Sequence, residues 1–255
     1  MKEQVEAKKK VKSILVSQPK PEGDKSPYLE LAKKLKVKVD FRPFIHVEGL
    51  TPQEFRQQRI QVLDHSAVIF TSRNAVDHFF RMCTETRVNV PESMKYFCMS
   101  EAIAFYLQKY VVYRKRKIFV GERKFSDLMP LIKKHSGERY LLPSSDKLKD
   151  DILQQLEAIK AKYTKSTFYR TVISDLSDLE DVKYDMLVFF SPSGIKSLYH
   201  NFPNFEQNDT HLAAFGATTH KAIADHNLRL DCAAPSPEFP SMTAAIEAYL
   251  KVVNK

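Results

Sequence analysis

The sequence predicts an α/β protein of two doubly wound parallel-sheet domains, flavodoxin-like or Rossmann-like, joined by a two-stranded extended linker. First, short apolar runs alternate with stretches of helical periodicity, which indicates βαβ units and sheets covered on both faces. Second, about nine or ten such strands are more than one compact sheet needs, and 255 residues suffice for two domains. Third, basic residues are concentrated mid-chain, since residues 41–168 hold 22 basic and 14 acidic side chains and residues 169–255 hold 7 and 11.

The first predicted elements are a strand, a helix, a second strand and a second helix. Ser13–Ser17 is a short apolar run, which is typical of a buried strand. Ser26 and Pro27 fit the N-cap and the first position of a helix. Apolar and polar residues alternate over Val37–Phe41, which favours a strand. A capping box with proline at the first helical position predicts a helix over Thr51–Leu63.

The remaining strands are predicted at apolar runs, each followed by a polar turn and a helical stretch. These runs are Ala67–Phe70, Tyr96–Met99, Ile118–Val120, Tyr140–Leu142, Met186–Phe190, Leu212–Phe215 and Leu230–Ala233. The helices with the clearest periodicity are predicted at 147–162, 193–202, 218–226 and 241–253.

Two extended segments, near 39–47 and 166–173, coincide with steps in the charge distribution and predict crossings between the domains. The predicted organisation is a discontinuous domain, an inserted basic domain and a pair of linker strands. Their predicted bounds are 1–40 with 173–255 for the discontinuous domain, 46–166 for the inserted domain, and 41–45 with 167–172 for the linker.

The distribution of the six glycines excludes two nucleotide-binding motifs. No two of them are close enough to form GxGxxG or GxxxxGK(S/T), so a dinucleotide fingerprint and a P-loop are absent. The eight histidines include no HExxH and no cluster with cysteine at zinc-ligand spacing, and GxSxG is missing as well. An enzyme with this sequence is expected to work without a nucleotide cofactor or a bound metal.

The cysteines and the apolar pattern predict a compartment. Cys83, Cys98 and Cys232 are scattered without CxxC spacing, which indicates free thiols in a reducing cytosol. No apolar run approaches the roughly 20 residues that span a bilayer. The first twelve residues lack the apolar region of a secretory signal. These patterns predict a cytoplasmic protein without a membrane partner, and a monomer is expected because no exposed apolar stripe is evident.

One internal repeat predicts an anion-binding edge. Residues 68–76 and 187–195 align without gaps at an offset of 119, and each is a strand, a serine-bearing turn and an amphipathic helix. Ligands of open α/β sheets bind beyond the carboxyl ends of strands, where free N–H groups and hydroxyls suit a carboxylate. The alternative is that these hydroxyls only cap helices. The candidate residues of the two turns are Thr71, Ser72, Ser191, Ser193 and Gly194.

A further turn has a glycine and two adjacent hydroxyls, Gly216, Thr218 and Thr219, which exceeds what one helix cap requires. Ser100 is a weaker candidate at the corresponding place in the middle domain. Tyr169 lies in the proposed crossing strand, where a phenol could donate a proton to a leaving group. The alternative for Tyr169 is an ordinary half-buried strand tyrosine.

Taken together, these segments resemble the uroporphyrinogen-III synthase family. The glycine–threonine turn resembles the family's strand–Gly-x-Thr-Thr–helix, followed by a strand and a Ser-Pro loop. The resemblance spans nearly the whole chain in order. The matching stretches are Ala213–Thr219, Cys232–Pro237, Phe189–Gly194, Phe70–Ser72 and Phe168–Val172.

The resemblance implies two α/β domains with an active site in the cleft between them. It implies a cofactor-free, cyclising carbon–oxygen hydro-lyase of tetrapyrrole and heme synthesis. The implied substrate is hydroxymethylbilane, a linear tetrapyrrole with eight carboxylates, which closes to uroporphyrinogen III with ring D inverted. Tyr169 falls on the family's tyrosine, proposed to assist hydroxyl departure. The family's substrate-contact turns fall on Ser72, Ser193, Thr218 and Thr219.

Two positions depart from the family pattern. The family usually has an arginine where this chain has Ser17-Gln18-Pro19, and a glycine and a threonine where Met99 and Ala102 stand. The basic middle domain is expected to attract the carboxylate-rich substrate. One alternative function is a non-catalytic relative that binds a polyanionic small molecule or partner. Nucleic-acid binding by the basic region is another, but no RNA-binding aromatic signature is present, so no nucleic-acid partner is expected.

Overall fold

A computed structural model describes residues 9–21, 23, 26–180 and 183–255. The chain folds as two compact units. The first unit comprises the residues up to His46 together with Val172–Lys255, and the second unit is Val47–Thr171. The two crossings are therefore at His46/Val47 and Thr171/Val172. The first lies just beyond the 41–45 linker that the sequence predicts, and the second lies at the end of the 167–172 linker.

The described residues form eleven strands. In chain order they are β1 (Ser13–Val16), β2 (Lys38–Phe41), β3 (Ile45–Gly49), β4 (Ala67–Phe70), β5 (Lys95–Cys98), β6 (Ile118–Val120), β7 (Tyr140–Ser145), β8 (Tyr163–Ile173), β9 (Met186–Phe189), β10 (His211–Phe215) and β11 (Cys232–Ala234).

Nine α-helices connect or flank these strands within the described residues. They are α1 (Pro27–Leu35), α2 (Pro52–Gln57), α3 (Arg73–Glu85), α4 (Glu101–Leu107), α5 (Met129–Lys134), α6 (Asp150–Ala158), α7 (Pro192–Asn201), α8 (Ala217–Asp225) and α9 (Met242–Val253). None of the helices in this part of the chain is both long and apolar enough to cross a bilayer.

Both sheets follow the predicted parallel plan. The first unit holds a five-stranded parallel sheet in the order β11-β10-β9-β1-β2. The other sheet has the order β3-β8-β7-β4-β5-β6, and its pairs from β8 to β6 are parallel. Reading from β4, the spatial order β6-β5-β4-β7-β8 is the Rossmann order 3-2-1-4-5. Reading from β9, the first sheet has the same order, with β1 and β2 in the places of β7 and β8.

This shared order defines a switch point in each sheet, where neighbouring strands feed crossovers in opposite directions. The switch points lie between β4 and β7 and between β9 and β1. Ligands of open α/β sheets bind beyond the carboxyl ends of strands at such points. The fold therefore predicts a ligand site at the turns that follow β4, β7, β9 and β1.

Each sheet is covered on both faces, so its strands are apolar on both sides. In β4, Val68 and Phe70 pack into one core layer and Ile69 into the other. In β1, Val16 and Leu15 divide between two layers in the same way. All five side chains are at most 3% exposed. This explains why the strands are near-continuous apolar runs in the sequence.

The ends of several elements differ from the sequence-based prediction, and three of them show how. The helix that begins at Pro52 ends at Gln57 because Arg59 takes a left-handed backbone conformation, with φ of 54°. The helix predicted over 147–162 is shorter, Asp150–Ala158, since Lys160 has φ of 53°. The last strand is predicted over Leu230–Ala233, whereas β11 covers Cys232–Ala234. Apolar periodicity locates an element along the chain but does not fix its terminal residues.

Candidate functional site

The internal repeat of the sequence is also a structural repeat. Both β9 and α7 begin 119 residues after β4 and α3. Ser72 and Ser191 take equivalent N-cap positions, each with φ of −156°. The Ser72 hydroxyl accepts the Ala75 N–H at 3.0 Å, and the Ser191 hydroxyl accepts the Gly194 N–H at 3.3 Å. Both serines therefore cap helices, and each hydroxyl keeps capacity for a second partner.

At the end of β4, the second partner of Ser72 is Tyr169. The two hydroxyl oxygens are 3.1 Å apart. The ring of Tyr169 stacks on the imidazole of His78 from α3, with ring centroids 5.1 Å apart and an angle of 21° between the planes. Tyr169 is 8% exposed. We call Ser72, His78 and Tyr169 the Tyr169 cluster; it places a phenol at the N-terminus of α3.

A β-bulge in β8 places Tyr169 in this cluster. Pairing with β7 shifts register, so that Ser144 lies opposite Thr167 but Ser145 lies opposite Tyr169. Phe168 is the extra residue, and the usual alternation of strand side chains is interrupted there. As a result, the consecutive residues Phe168 and Tyr169 both pack into the core layer of α3.

Arg81 and the backbone near Gly49 pack against His78 of the Tyr169 cluster. The Arg81 guanidinium donates from Nη2 to the Leu50 carbonyl at 2.7 Å, and its Nε faces Nδ1 of His78 at 3.4 Å. A Cβ on Gly49 would lie 2.2 Å from Nη2 of Arg81 and 2.7 Å from Nδ1 of His78. Only glycine leaves the space that these two side chains fill. Arg81 thereby holds the imidazole against Tyr169.

The electrostatic surroundings keep both rings of the cluster uncharged near neutral pH. Burial raises the pKa of the Tyr169 phenol, and the hydrogen bond with Ser72 opposes this shift without cancelling it. Burial, with Arg81 as the second cause, lowers the pKa of His78 below 6.5. The cluster therefore presents a protonated phenol beside a neutral imidazole.

The lowered pKa of His78 predicts a loss of stability in mild acid. The unfolded imidazole takes up its proton near pH 6.5, whereas folded His78 takes it up only at lower pH. The unfolded state then binds more protons, so the free energy of unfolding falls as pH drops below 6.5. We expect His78→Gln to reduce this fall, measured by urea unfolding at a series of pH values. If His78→Gln has the same pH dependence of the unfolding free energy as the wild type, the prediction is wrong. His135→Gln is measured alongside and should also reduce the fall, because burial lowers the pKa of His135 as well.

The arginine next to Tyr169 is engaged elsewhere. Arg170 pairs with Glu54 at 2.7 Å and with Glu48 at 3.7 Å. Glu54 also accepts the Thr51 N–H in the capping box of α2. The Thr51 N–H first, and then Arg170, lower the pKa of Glu54 to about 2. Arg170 therefore ties β8 to α2.

Two further candidates of the second unit lie at the same edge. The Met99 N–H donates to the Phe70 carbonyl at 3.0 Å, so the turns after β4 and β5 are side by side. This places Thr71 and Ser100, both half-buried, near the Ser72 turn. Ser100 is the N-cap of α4 but its side chain makes no capping hydrogen bond.

In the first unit, the turn after β9 lies beside the end of β1. The Ser17 N–H donates to the Val188 carbonyl at 3.0 Å. A Cβ on Gly194 would lie 3.1 Å from Cδ1 of Phe189 and 3.9 Å from Oγ of Ser17. Ser191 and Ser193 are half-buried at this turn. Ser17 is the first residue of the segment where the family usually has an arginine, and the pairing of β1 with β9 places it next to this turn.

The turn at Gly216 corrects one expectation. Thr218 and Thr219 both lie in the first turn of α8, after the N-cap Gly216, but they do not both face solvent, because successive helical residues point in different directions. Thr218 is exposed, whereas Thr219 is 1% exposed and packs inside the unit. Of the two hydroxyls, only that of Thr218 is accessible to a ligand in this structure.

His220 stabilises the turn at Gly216 through hydrogen bonds, and no sequence motif indicated this role. Its Nε2 lies 2.9 Å from the Ala214 carbonyl and 3.0 Å from the Ala234 carbonyl. Carbonyls only accept, so Nε2 carries the proton. The Gly216 N–H donates to the same Ala234 carbonyl at 2.7 Å. The imidazole thus joins the carboxyl ends of β10 and β11.

Gly216 has a backbone conformation that other residues rarely adopt, with φ of 90° and ψ of 144°. We expect Gly216→Ala to lower the free energy of unfolding by about 1–3 kcal/mol through backbone strain. Nothing lies within 4 Å of the added Cβ, so crowding does not contribute. Gly137→Ala is the matched control, since its Cβ also meets nothing and its φ is not positive. Equal stability of the two variants in urea unfolding would contradict the prediction.

The described residues offer neither a metal site nor a reactive thiol. No group of three or more metal-ligating side chains occurs in this part of the chain. Cys83, Cys98 and Cys232 are all unpaired and buried. Burial raises the pKa of Cys83 and of Cys98 to about 12. The candidate residues at the carboxyl edges of the two sheets therefore offer hydroxyls, a phenol and helix N-termini.

Comparisons with known proteins agree with this architecture. Residues 26–244 match a family profile described as uroporphyrinogen-III synthase HemD. A search of curated proteins finds no match. The uroporphyrinogen-III synthetase of Helicobacter pylori is 18% identical, with a TM-score of 0.60, over 94% of this chain and 99% of that one. A mutant uroporphyrinogen III synthase of Thermus thermophilus is 15% identical, with a TM-score of 0.53 and the same coverage. These structures share the fold, and the profile covers most of the sequence, so the chain belongs to the uroporphyrinogen-III synthase family.

Proposed function

We propose that this protein is a uroporphyrinogen-III synthase, a lyase that closes hydroxymethylbilane to uroporphyrinogen III with inversion of ring D. Membership of the family supports the reaction class. The Tyr169 cluster is the observation that links the proposal to particular residues, because it holds a protonated phenol at the carboxyl edge of a sheet. The reaction eliminates water, and such a step needs a proton for the departing hydroxyl.

In this proposal, Tyr169 assists the departure of the terminal hydroxyl. The phenol donates its proton as the carbon–oxygen bond breaks, and water leaves. The adjacent pyrrole supplies the electron pair, which gives an azafulvene. Ring D attacks it through a spiro intermediate that then rearranges, and the proton lost as the ring regains aromaticity restores the phenol. A phenol of raised pKa is a weak acid, but the pyrrole assists the departure, and the raised pKa favours return of the proton.

The rest of the enzyme's work is to position a flexible substrate. The eight carboxylates need hydrogen-bond donors, and the N-termini of α3 and α7 provide N–H groups with the positive end of the helix dipole. We propose that the turns at Ser72, Ser100, Ser191 and Thr218 contribute hydroxyls to this binding. The proposed reaction uses no cofactor.

The isomer of the product tests the function directly. Purified protein is given hydroxymethylbilane, and the porphyrin isomers are resolved after oxidation. We expect isomer III in excess of the amount formed without protein. Isomer I alone, as in spontaneous closure, would contradict the proposal and leave the alternative of a non-catalytic relative that binds a polyanion at the same edges.

A further inference from the structure

A row of basic residues of the second unit lies at the ends of the strands opposite to the Tyr169 cluster. In a parallel sheet all amino ends share one edge. Backbone hydrogen bonds place the residues that start or precede five neighbouring strands side by side. These bonds run from Tyr140 N–H to Lys162 O at 2.8 Å, from Ala67 N–H to Arg139 O at 3.1 Å, from Lys95 N–H to Ser66 O at 3.1 Å and from Tyr96 N–H to Lys117 O at 2.7 Å.

Four of the five residues in this row are cationic: Lys162, Arg139, Lys95 and Lys117. At a strand spacing of about 4.8 Å the row is roughly 19 Å long. Other basic residues extend it at both ends. We call this surface the basic edge; it consists of Arg59, Lys95, Arg114–Lys117, Arg139 and Lys162.

Acidic residues compensate only part of the basic edge. Lys95 pairs with Glu138 at 2.6 Å, and Arg114 pairs with Glu92 at 2.9 Å. Lys117 is half-buried and donates to the Glu92 carbonyl. No ion pair within the described residues involves the remaining five, which are exposed: Arg59, Lys115, Arg116, Arg139 and Lys162. Next to the row, the three basic residues Arg59, Arg139 and Lys162 and one acidic residue, Asp64, border an open hollow of about 430 Å³. The edge therefore offers positive charge to a ligand outside the protein.

One end of the basic edge also carries exposed apolar side chains. Val112 is 79% exposed and Tyr113 is 48% exposed, directly before Arg114–Lys117. Phe105, which lies in α4 before this segment, is 75% exposed. Large apolar side chains next to an exposed cationic run are unfavourable in water but suit a surface that offers both negative charge and hydrocarbon.

We propose that the basic edge docks the protein peripherally on an anionic lipid surface. Cations of the row meet headgroup phosphates, and Val112, Tyr113 and Phe105 enter the boundary between headgroups and acyl chains. The lack of a spanning helix does not bear on such contact, because peripheral binding needs none. This orientation turns the Tyr169 cluster, at the other end of the strands, away from the lipid.

The side chains at the end of the row favour lipid over nucleic acid. Single-stranded nucleic acids need aromatic platforms spaced along a cationic groove. Here the strongly exposed aromatic side chains, Phe105 and Tyr113, are near one end of the row and not spaced along it. They accompany Val112, the most exposed large apolar side chain among the described residues, which has no ring to stack on a base. The exposed side chains of Val112, Tyr113 and Phe105 beside a run of cations therefore suit an anionic bilayer better than a nucleic acid.

Co-sedimentation of the full-length protein with vesicles tests the proposal. The vesicles are phosphatidylcholine with or without phosphatidylglycerol. We expect binding only with phosphatidylglycerol, weakened by salt, since each cation near an anionic surface strengthens binding about fivefold. Lys115→Glu with Arg116→Glu should lower the vesicle affinity more than tenfold, and Val112→Ser with Tyr113→Ser should lower it severalfold. Product formation from hydroxymethylbilane should stay unchanged in both variants.

A matched control separates docking from the net charge of the protein. Arg123→Glu with Lys124→Glu makes the same charge change at the carboxyl edge of the same unit, and vesicle binding should be largely retained. Equal losses in the two charge-reversal variants would overturn the proposal, because net charge alone would explain them. So would binding to single-stranded RNA or inorganic tripolyphosphate without binding to phosphatidylglycerol vesicles, and so would no binding at all.

Discussion

Replacement of Tyr169 by phenylalanine is expected to lower kcat for the closure of hydroxymethylbilane about a hundredfold, within the range of a lost general acid. The variant lacks only the hydroxyl that lies 3.1 Å from Ser72. The ring stays stacked on His78, so the fold is retained. The loss of one hydrogen bond should lower the free energy of unfolding by no more than about 1.5 kcal/mol. Steady-state kinetics and urea unfolding measure the two effects.

Tyr163→Phe is the matched control for this prediction. Tyr163 lies in the same strand, and its hydroxyl donates to Glu157 at 3.2 Å, at the amino end of β8. Its removal should leave kcat unchanged, whereas removal of the Tyr169 hydroxyl should not. If Tyr169→Phe produces isomer III at the wild-type rate, Tyr169 has no part in the chemistry and the proposed elimination step is wrong.

Replacement of Phe168 by alanine is expected to lower the free energy of unfolding by about 3–5 kcal/mol. The ring is fully buried, with centroids 4.8 Å from Phe55 and 5.9 Å from Phe79. Alanine would leave a cavity where α2, α3 and the bulge of β8 meet. Because Tyr169 follows directly, we also expect isomer III formation to fall, even under conditions where the variant remains folded.

Phe105→Ala controls for the removal of a phenylalanine ring as such. Phe105 is 75% exposed, so its loss should change the free energy of unfolding by no more than about 0.5 kcal/mol. Urea unfolding of both variants gives the comparison. A Phe168→Ala variant as stable as Phe105→Ala would mean that the core closes around the missing ring and that the bulge does not depend on it.

Much of this fold was predictable because its local signals are strong. Ser26 with Pro27, and Thr51 with Glu54, mark the starts of α1 and α2, and hydrogen bonds in the structure confirm both caps. The central strands, such as β4 and β9, were predictable since burial on both faces makes each a continuous apolar run. The ends of α2 and α6 were not, because left-handed residues such as Arg59 carry no distinctive sequence signal.

The site was predictable only in part. The repeat identified Ser72 and Ser191, whose equivalent caps follow from equivalent local sequences. His78 was not identified, since a histidine within an amphipathic helix has no motif, and only the packing of α3 on β8 brings it to Tyr169. Thr219 was assigned to ligand contact because the sequence does not show which side of α8 faces the core.

By itself, the sequence determined the α/β class, the alternation of strands and helices, the serine caps and the family, because each depends on residues close together in the chain. Only the tertiary structure decided what depends on distant segments. Strand order set the two switch points and placed the four basic residues of the row, Lys162, Arg139, Lys95 and Lys117, at the edge away from Tyr169. The bulge at Phe168 decided that Tyr169 faces Ser72, because one extra residue in a strand reverses the face of every side chain that follows it.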